Sequence, residues 1–414
     1  MSSQYIGHLK QCQICSNNKL ELILDLGHQP IVQNYLTKEQ LHEPETTYPL
    51  NLVRCGDCGL LQLNYIVDPR FVFPRNYPYR TGLTNMLIRN FHELADQLEK
   101  KYNLQTKDLI IDIGSNDGTL LKGFKDKGMR VLGIEPTDAA KDANTHGIPT
   151  LQTYLNATAV KNALKKYGPA RIVAATNVFA HINNVPELMH NIKNLLDDNG
   201  IFISESQYIM DIVEKLEFDT IYHEHLRFYG LKPLAKLFNL HHMSLVDAER
   251  IEAAGGSIRV FAKKGRHPMS VRAKKLLAAE VRAGLYNSKT LREWGARIHQ
   301  AKRDLVALLI TCKKTGGRMV GIGSPARSNT LLGFTHIDGT FLDYAGEKNG
   351  SPKIGLYTPG THILVVDEKK LYKEQPEFAL ILSWHIGAEL IKIFRKNNYK
   401  GKFILPLPHP KIIE

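Results

Sequence analysis

The stretch Leu109-Ile110-Ile111-Asp112-Ile113-Gly114-Ser115-Asn116-Asp117-Gly118-Thr119-Leu120-Leu121 decides the fold. An apolar run carries an acid near its end, enters a glycine-bracketed turn and leaves as an apolar helix start. A second apolar run, Val131-Leu132-Gly133-Ile134-Glu135, ends in another acid. This succession is how an α/β sheet offers a crevice to an adenosine-containing cofactor. Glycines let the backbone come close, and the later acid can accept hydrogen bonds from ribose hydroxyls. The site is expected at the carboxyl edge of that sheet.

Outward from this loop, apolar runs at 109–113, 131–134, 171–176 and 201–205 alternate with helical patterns, which implies a mostly parallel sheet. Residues 268–313 carry Ala, Leu, Lys, Arg and Glu at helical spacing and read as one or two connecting helices. A third block alternates again, with strand-like runs at 319–322, 340–342, 363–366, 378–382 and 403–405. Before the loop, residues up to about 70 are turn-rich and short-stranded. Four parts are expected: 1–70, 71–265, 266–315 and 316–414. A chain of 414 residues is too long for one ordinary core.

The loop is not GxGxxG. Asn116 replaces the middle glycine and the third glycine, Gly118, comes early. That spacing disfavours a pyrophosphate and fits the looser turn of class I methyltransferases. In that reading Asp112 holds the amino-acid end of S-adenosylmethionine through water, and Glu135 takes both ribose hydroxyls. Gly114, Asn116 and Gly118 shape the turn against the cofactor. The segment Thr176-Asn177-Val178-Phe179-Ala180-His181 leaves the sheet at the next strand end, which makes Asn177 and Phe179 further cofactor candidates. Residues 195–205 read as helix, Asn-Gly turn and strand.

Cys12-Gln13-Ile14-Cys15 and Cys55-Gly56-Asp57-Cys58 are two CxxC knuckles. Two facing knuckles close a tetrahedral thiolate site, so Cys12, Cys15, Cys55 and Cys58 are assigned to a structural zinc. Cys312 stands alone in a helical pattern and reads as a small buried apolar residue. The net charge of +13 favours an anionic partner. The basic residues are dispersed, with no basic tail and no basic block interleaved with aromatics, so nucleic acid is not the expected partner. The start is polar and no apolar run approaches the ~20 residues of a membrane span. A soluble, cytoplasmic protein is expected.

Tyr222-His223-Glu224-His225 is chemically dense. A helix would put Tyr222 and His225 on one face, and a strand would put His223 and His225 together. HExxH spacing is absent, which leaves general-base chemistry ahead of a metal site.

Together these features resemble the sugar C-methyltransferases of nucleotide-deoxysugar pathways over nearly the full length. The resemblance is carried by the paired CxxC knuckles with Gly27-His28-Gln29-Pro30 between them, Tyr77-Pro78-Tyr79, the 113–118 loop, Ile134-Glu135-Pro136 and Asn177-Val178-Phe179-Ala180-His181. It continues through Tyr222-His223-Glu224-His225, Gly255-Gly256-Ser257, Gly321-Ile322-Gly323-Ser324-Pro325-Ala326 and Thr358-Pro359-Gly360-Thr361-His362. The family implies a three-domain monomer: a zinc-binding domain, an S-adenosylmethionine domain of Rossmann-like α/β class, and a C-terminal α/β domain that helps hold the nucleotide sugar. It implies methylation of a carbon beside the keto group of a nucleoside-diphosphate 4-keto-6-deoxyhexose, carbon 3 being favoured.

By that resemblance Tyr222 and His225 are base candidates, Glu224 orients or binds, and His181 can donate to the developing oxyanion. Tyr77 and Tyr79 close over cofactor or sugar. Residues 320–326 form a GxGxxA turn, which alone reads as NAD binding, with Asp343 about where a ribose-binding acid would lie. In the family it more plausibly docks the substrate diphosphate, on Gly323 and Ser324 with Arg327 and Lys353. Two departures bear on sugar identity: Ala254 stands where the family often has histidine, and residues 343–355 look altered. An NAD-linked nucleotide-sugar oxidoreductase or epimerase and a zinc-containing RNA methyltransferase are the competing functions.

Overall fold

The structure, a computed structural model, describes residues 5–77, 79–83 and 85–414. Pro78 of the Tyr-Pro-Tyr motif and the Ala254 side chain lie outside what is described.

Strand Leu109–Ile113 is buried at all five positions, as an apolar run covered on both faces requires. It lies inside a seven-stranded sheet in the order Met243–Ile251, Ser257–Lys264, Leu196–Gln207, Ala170–Thr176, Leu109–Ile113, Arg130–Ile134, Thr150–Leu151. Neighbours from Leu196–Gln207 to Thr150–Leu151 run parallel, and Ser257–Lys264 runs antiparallel between two others. The chain winds one way from Leu109–Ile113 and then the other way from Ala170–Thr176. The crevice between those strand ends is therefore a switch point, where ligands of open α/β sheets bind.

A second sheet of six strands has the order Val365–Asp367, Ala345–Glu347, Met319–Ile322, Phe378–Ile381, Lys402–Leu405, Lys411–Ile413, all parallel except the last. The expected strand at 340–342 is a turn instead. The Asp338 carboxylate accepts from Thr340 N at 2.9 Å and from Thr340 Oγ1 at 2.6 Å, and this Asx turn bends the segment. The strand follows at Ala345–Glu347. The Asn-Gly turn expected near residue 200 is likewise absent. Strand Leu196–Gln207 runs through it with a register shift between Leu196 and Ile201.

The N-terminal sheet is antiparallel in the order Arg227–Phe228, Leu61–Leu63, Tyr48–Cys55, Leu20–Gln29. Its edge strand comes from the far end of the methyltransferase-like segment, directly after Tyr222-His223-Glu224-His225. Helices Val271–Arg282 and Ser288–Lys314 follow, and the second buries Leu291, Trp294, Ile298, Leu305 and Cys312 along one stripe. At Gly295 this helix presses on strand Leu20–Gln29, where an added Cβ would stand 2.9 Å from the Ile23 carbonyl. One continuous apolar core runs from Leu52 through Phe179 and Trp294 to Leu331. Among the described residues no helix is long and apolar enough to cross a membrane.

Candidate active site and zinc centre

One large cavity of about 890 Å³ opens where the three sheets meet. The 109–121 loop forms one wall. Gly114 has φ +67°, and a Cβ there would collide with Val178 at 2.6 Å, so the turn needs glycine. Glu135 sits at the end of the neighbouring strand. Its Oε2 accepts from Asn116 N at 3.0 Å and its Oε1 from Thr137 N at 2.8 Å, which leaves lone pairs on both oxygens facing the cavity. Asp112 is buried, and its Oδ1 has no partner among the described residues. Burial, with Glu135 and Glu205 nearby, pushes its carboxyl well above the usual carboxylate range. Ser115 Oγ is also buried without a partner. Two acids and an orphaned hydroxyl suit a cationic, donor-rich ligand. The ribose, ammonium and sulfonium of S-adenosylmethionine fit that description, and Asp112, Ser115 and Glu135 would be placed to hold it.

Two cofactor candidates from the sequence do not reach the cavity. Phe179 is fully buried and stacks among Phe202, Tyr229 and Phe238, because its side chain turns under the sheet. Gly118 begins helix Thr119–Lys125 at φ +81° with its open face against Ile148, so it shapes the turn without meeting a ligand. Gly114, Asn116 and Asn177 line the wall.

The acceptor wall is built from a turn. Residues 222–225 form neither helix nor strand: His225 N donates to Tyr222 O at 2.9 Å. This turn aims Tyr222, Glu224 and His225 into the cavity and sends His223 toward Pro49 of the N-terminal sheet. His225 Nδ1 donates to the Thr220 carbonyl at 2.7 Å, which leaves Nε2 as the free acceptor. The orienting partner is thus this carbonyl and not Glu224. Burial lowers the His225 imidazole to about 4. His181 stacks on His225 with ring centres 5.1 Å apart, and Phe73 stacks on His181 at 5.6 Å. Burial, followed by His225 and Arg227, holds His181 well below the usual imidazole range. Both rings are neutral near pH 7.

Tyr222 lies 4.1 Å from the His225 ring. Burial and then Glu224 raise its phenol well above 10, which favours the protonated donor over the proton-accepting form. Glu224 Oε2 accepts from Tyr77 OH at 2.8 Å and its Oε1 has no partner. Burial raises this carboxyl to about 7. Tyr77 and Tyr79 line the cavity, and their segment is laced to the cofactor loop: Thr81 N donates to Asn116 Oδ1 at 2.9 Å, and Asn116 Nδ2 to Tyr79 O at 3.2 Å.

The C-terminal wall differs most from expectation. The Gly323 amide donates to Gly346 O at 2.7 Å and the Ser324 amide to Glu347 Oε2 at 2.9 Å, so neither is free for a phosphate. Ser324 is buried against Tyr35 OH, 2.8 Å from its Oγ. Arg327 points away into a buried ion pair, with Asp219 at 2.7 and 2.8 Å and Glu217 at 3.5 Å, and Trp384 covers its guanidinium. Its charge is neutralised within the protein. Asp343 sits at the amino end of its strand, paired with Arg318 at 3.0 Å. Glu347 occupies the carboxyl end that Asp343 was expected to fill. Lys353 does line the cavity. Its Nζ donates to Ser324 O at 2.7 Å and keeps two further donors.

The thiolate centre is compact. Cys12 and Cys58 sulfurs are 3.5 Å apart, as are those of Cys15 and Cys55, and all four lie within 4.8 Å of one another. A zinc tetrahedron with bonds of about 2.3 Å has sulfur–sulfur edges of roughly 3.8 Å, so the cradle fits zinc. Sequence reasoning missed Thr220, Phe73, Arg227 and Glu347. Only Glu347 left a signal there, an acid closing an apolar run as Glu135 does.

Three sequence-family models match the chain. Residues 12–73 match a putative zinc binding domain, 80–246 a methyltransferase domain and 252–408 a C-methyltransferase C-terminal domain. C-methyltransferase NovU of Streptomyces niveus is 28% identical over 411 residues, 98% of this chain and 97% of that protein. Among solved structures, magnesium protoporphyrin IX methyltransferase (ChlM) from Synechocystis PCC 6803 with bound SAH is 12% identical at a TM-score of 0.34, covering 44% of this chain and 84% of its own. The CcbJ methyltransferase of Streptomyces caelestis is 11% identical at 0.32, covering 43% and 90%. On these sequence matches, the chain carries the domains of an S-adenosylmethionine-dependent C-methyltransferase, with a zinc-binding domain at its N-terminal side.

Proposed function

We propose that the chain methylates a carbon, carbon 3 by family resemblance, next to the ketone of a nucleoside-diphosphate 4-keto-6-deoxyhexose. The product is a branched-chain deoxysugar. The observation that carries this reading is one cavity shared by Glu135 and Asn116, by Tyr222, Glu224, His225 and His181, and by Lys353. A donor half, an acid–base half and a cationic C-terminal wall face each other there. We also propose that it acts as a cytoplasmic monomer, divided at about residues 70, 265 and 315.

When bound, S-adenosylmethionine supplies an electrophilic methyl group. The rest falls to the chain's own residues. A carbon acid must lose its proton, and His225 Nε2 accepts it because Nδ1–H is committed to Thr220. The enolate oxygen that forms takes hydrogen bonds from the protonated Tyr222 phenol and from the His181 N–H. Tyr222 is buried and His181 half-buried under Phe73, so both are aimed before the reaction. Lys353 pairs with the diphosphate.

The test is a panel of nucleoside-diphosphate keto sugars incubated with S-adenosylmethionine and read by mass spectrometry for an added methyl. Activity on a 4-keto-6-deoxyhexose, with a loss of about a thousandfold in His225→Ala, is expected. Full turnover in both His225→Ala and Tyr222→Phe overturns the assignment. A second reading makes Glu224 the base, since its Oε1 is unpartnered and its carboxyl lies near 7. In that case Glu224→Gln, and not His225→Ala, carries the thousandfold loss.

A further inference from the structure

Arg227 is buried to 1% exposure, and no carboxylate pairs with it among the described residues. A buried guanidinium is costly unless its donors are engaged. Here neutral acceptors engage them. Nη2 donates to Phe179 O at 2.9 Å and Ile182 O at 2.6 Å, Nε to Tyr229 OH at 2.8 Å and Nη1 to Gln13 Oε1 at 2.7 Å. The first two carbonyls bracket His181 in the chain. The last acceptor lies inside the first cysteine knuckle, between Cys12 and Cys15. Gln13 is itself held: its backbone N–H donates to Gln62 Oε1 at 2.8 Å, and its Nε2 reaches the Leu63 and Leu226 carbonyls at 3.2 Å each.

We infer that Arg227 is a positioning residue that transmits the geometry of the zinc knuckle to His181. The path has few links. The metal fixes the knuckle, the knuckle fixes Gln13, and Gln13 fixes the guanidinium plane. The guanidinium then fixes the two carbonyls on either side of His181, whose ring stacks on His225. A closed four-cysteine site thereby acquires a part in methyl transfer without touching a substrate. The guanidinium is also a fixed positive charge beside His181, which favours the neutral form of that ring. The inference rests on the proposed roles of His181 and His225.

Gln13→Leu removes the acceptor while leaving all four thiolates, and Gln13→Glu keeps an acceptor at the same reach. Gln13→Leu is expected to bind one zinc and to melt somewhat below the parent, because the buried Arg227 Nη1 loses its acceptor. It should lose about tenfold in kcat with the KM for S-adenosylmethionine unchanged, the size typical of orienting partners, at assay temperatures where it is fully folded. The His181 ring resonance, assigned with His181→Gln in labelled full-length protein without substrate, should move. Gln13→Glu should recover both the rate and the resonance. An unchanged kcat and an unmoved resonance in Gln13→Leu overturn the inference, as does a loss that tracks lost zinc. If His181→Ala and His225→Ala keep full turnover, the proposed chemistry fails instead. A moved His181 resonance would still report the coupling.

Discussion

Two loops of this chain look alike and do different things. Gly114–Gly118 and Gly323–Ala326 each follow a central parallel strand, and each gives a backbone amide to an acid at the end of the next strand. Glu135 accepts from Asn116 and Glu347 from Ser324, at 3.0 and 2.9 Å. Around the first loop the neighbours stand back: Asp112 and Ser115 keep unpartnered atoms and the cavity reaches them. Around the second they close in. Tyr35 from the N-terminal part bonds Ser324, Asn329 reaches the Val32 carbonyl at 2.7 Å, and Arg327 turns away to Asp219. A glycine fingerprint specifies a turn. Whether the turn meets a ligand depends on what else packs there: distant segments engage Ser324 and Arg327, and Pro325, Ala326 and Glu347 are what the second loop leaves at the cavity.

The sharpest way to break this contrast is at the cation. If Arg327 belongs to the fold, Arg327→Met leaves Asp219 and Glu217 buried without a charge partner. That should cost about 3–5 kcal/mol in urea unfolding, as breaking buried pairs does. Lys353→Met removes a cation of the cavity wall and should leave stability within about 0.5 kcal/mol. The KM for the nucleotide sugar should rise instead. Equal stability in the two variants would mean that Arg327 is free to serve the site after all.

The difference explains what was legible in the sequence. Strand identity was, because Leu109–Ile113 and its parallel neighbours are buried on both faces and read as unbroken apolar runs. The four thiolates and the inward trio of Tyr222, Glu224 and His225 were legible from spacing and family resemblance. What escaped depends on tertiary neighbours. The turn at 222–225 is set by residues packed above and below it, so no periodicity announces which side chains face inward. Thr220 acts through its carbonyl, which any residue carries. Arg227, two positions past His225, looks like an ordinary surface arginine until the N-terminal sheet takes it as an edge strand. Arg327 was assigned to phosphate because its loop invites one, while Asp219, its actual partner, lies 108 residues earlier.

A second comparison sets the two acids against each other. Glu135→Ala and Glu347→Ala each remove a carboxylate that holds two backbone amides, from Asn116 and Thr137 in one case and from Ser324 and Lys348 in the other. The structural loss is matched, so any difference in S-adenosylmethionine affinity measured by calorimetry reports ligand contact alone. Two charged hydrogen bonds to ribose hydroxyls at about 1.5 kcal/mol each predict a Kd raised about a hundredfold in Glu135→Ala. Glu347→Ala should stay within about twofold of the parent. Matched losses would place the cofactor elsewhere.

The smallest effect is a titration, and it belongs to the open half of the molecule. Burial raises Glu224 from 4.5 to about 7. Between those values the folded chain holds a proton there that the unfolded chain has released. The resulting stability is fully present below 4.5 and is lost as pH rises to about 7, at a slope of at most about 1.4 kcal/mol per pH unit. Glutamine cannot titrate, so the stability of Glu224→Gln relative to the parent should climb across that window and level off above it. Urea unfolding at several pH values reads this difference directly. The other wall holds an acid in the same range: burial raises Glu217 to about 7 while Arg327 holds it down, so the stability of Arg327→Met relative to the parent should fall as pH rises past 7, opposite in sign to Glu224→Gln. If Glu224→Gln shows no climb between 4.5 and 7, the proton held near neutrality does not sit on Glu224, and the acid–base half of the cavity loses its second candidate base.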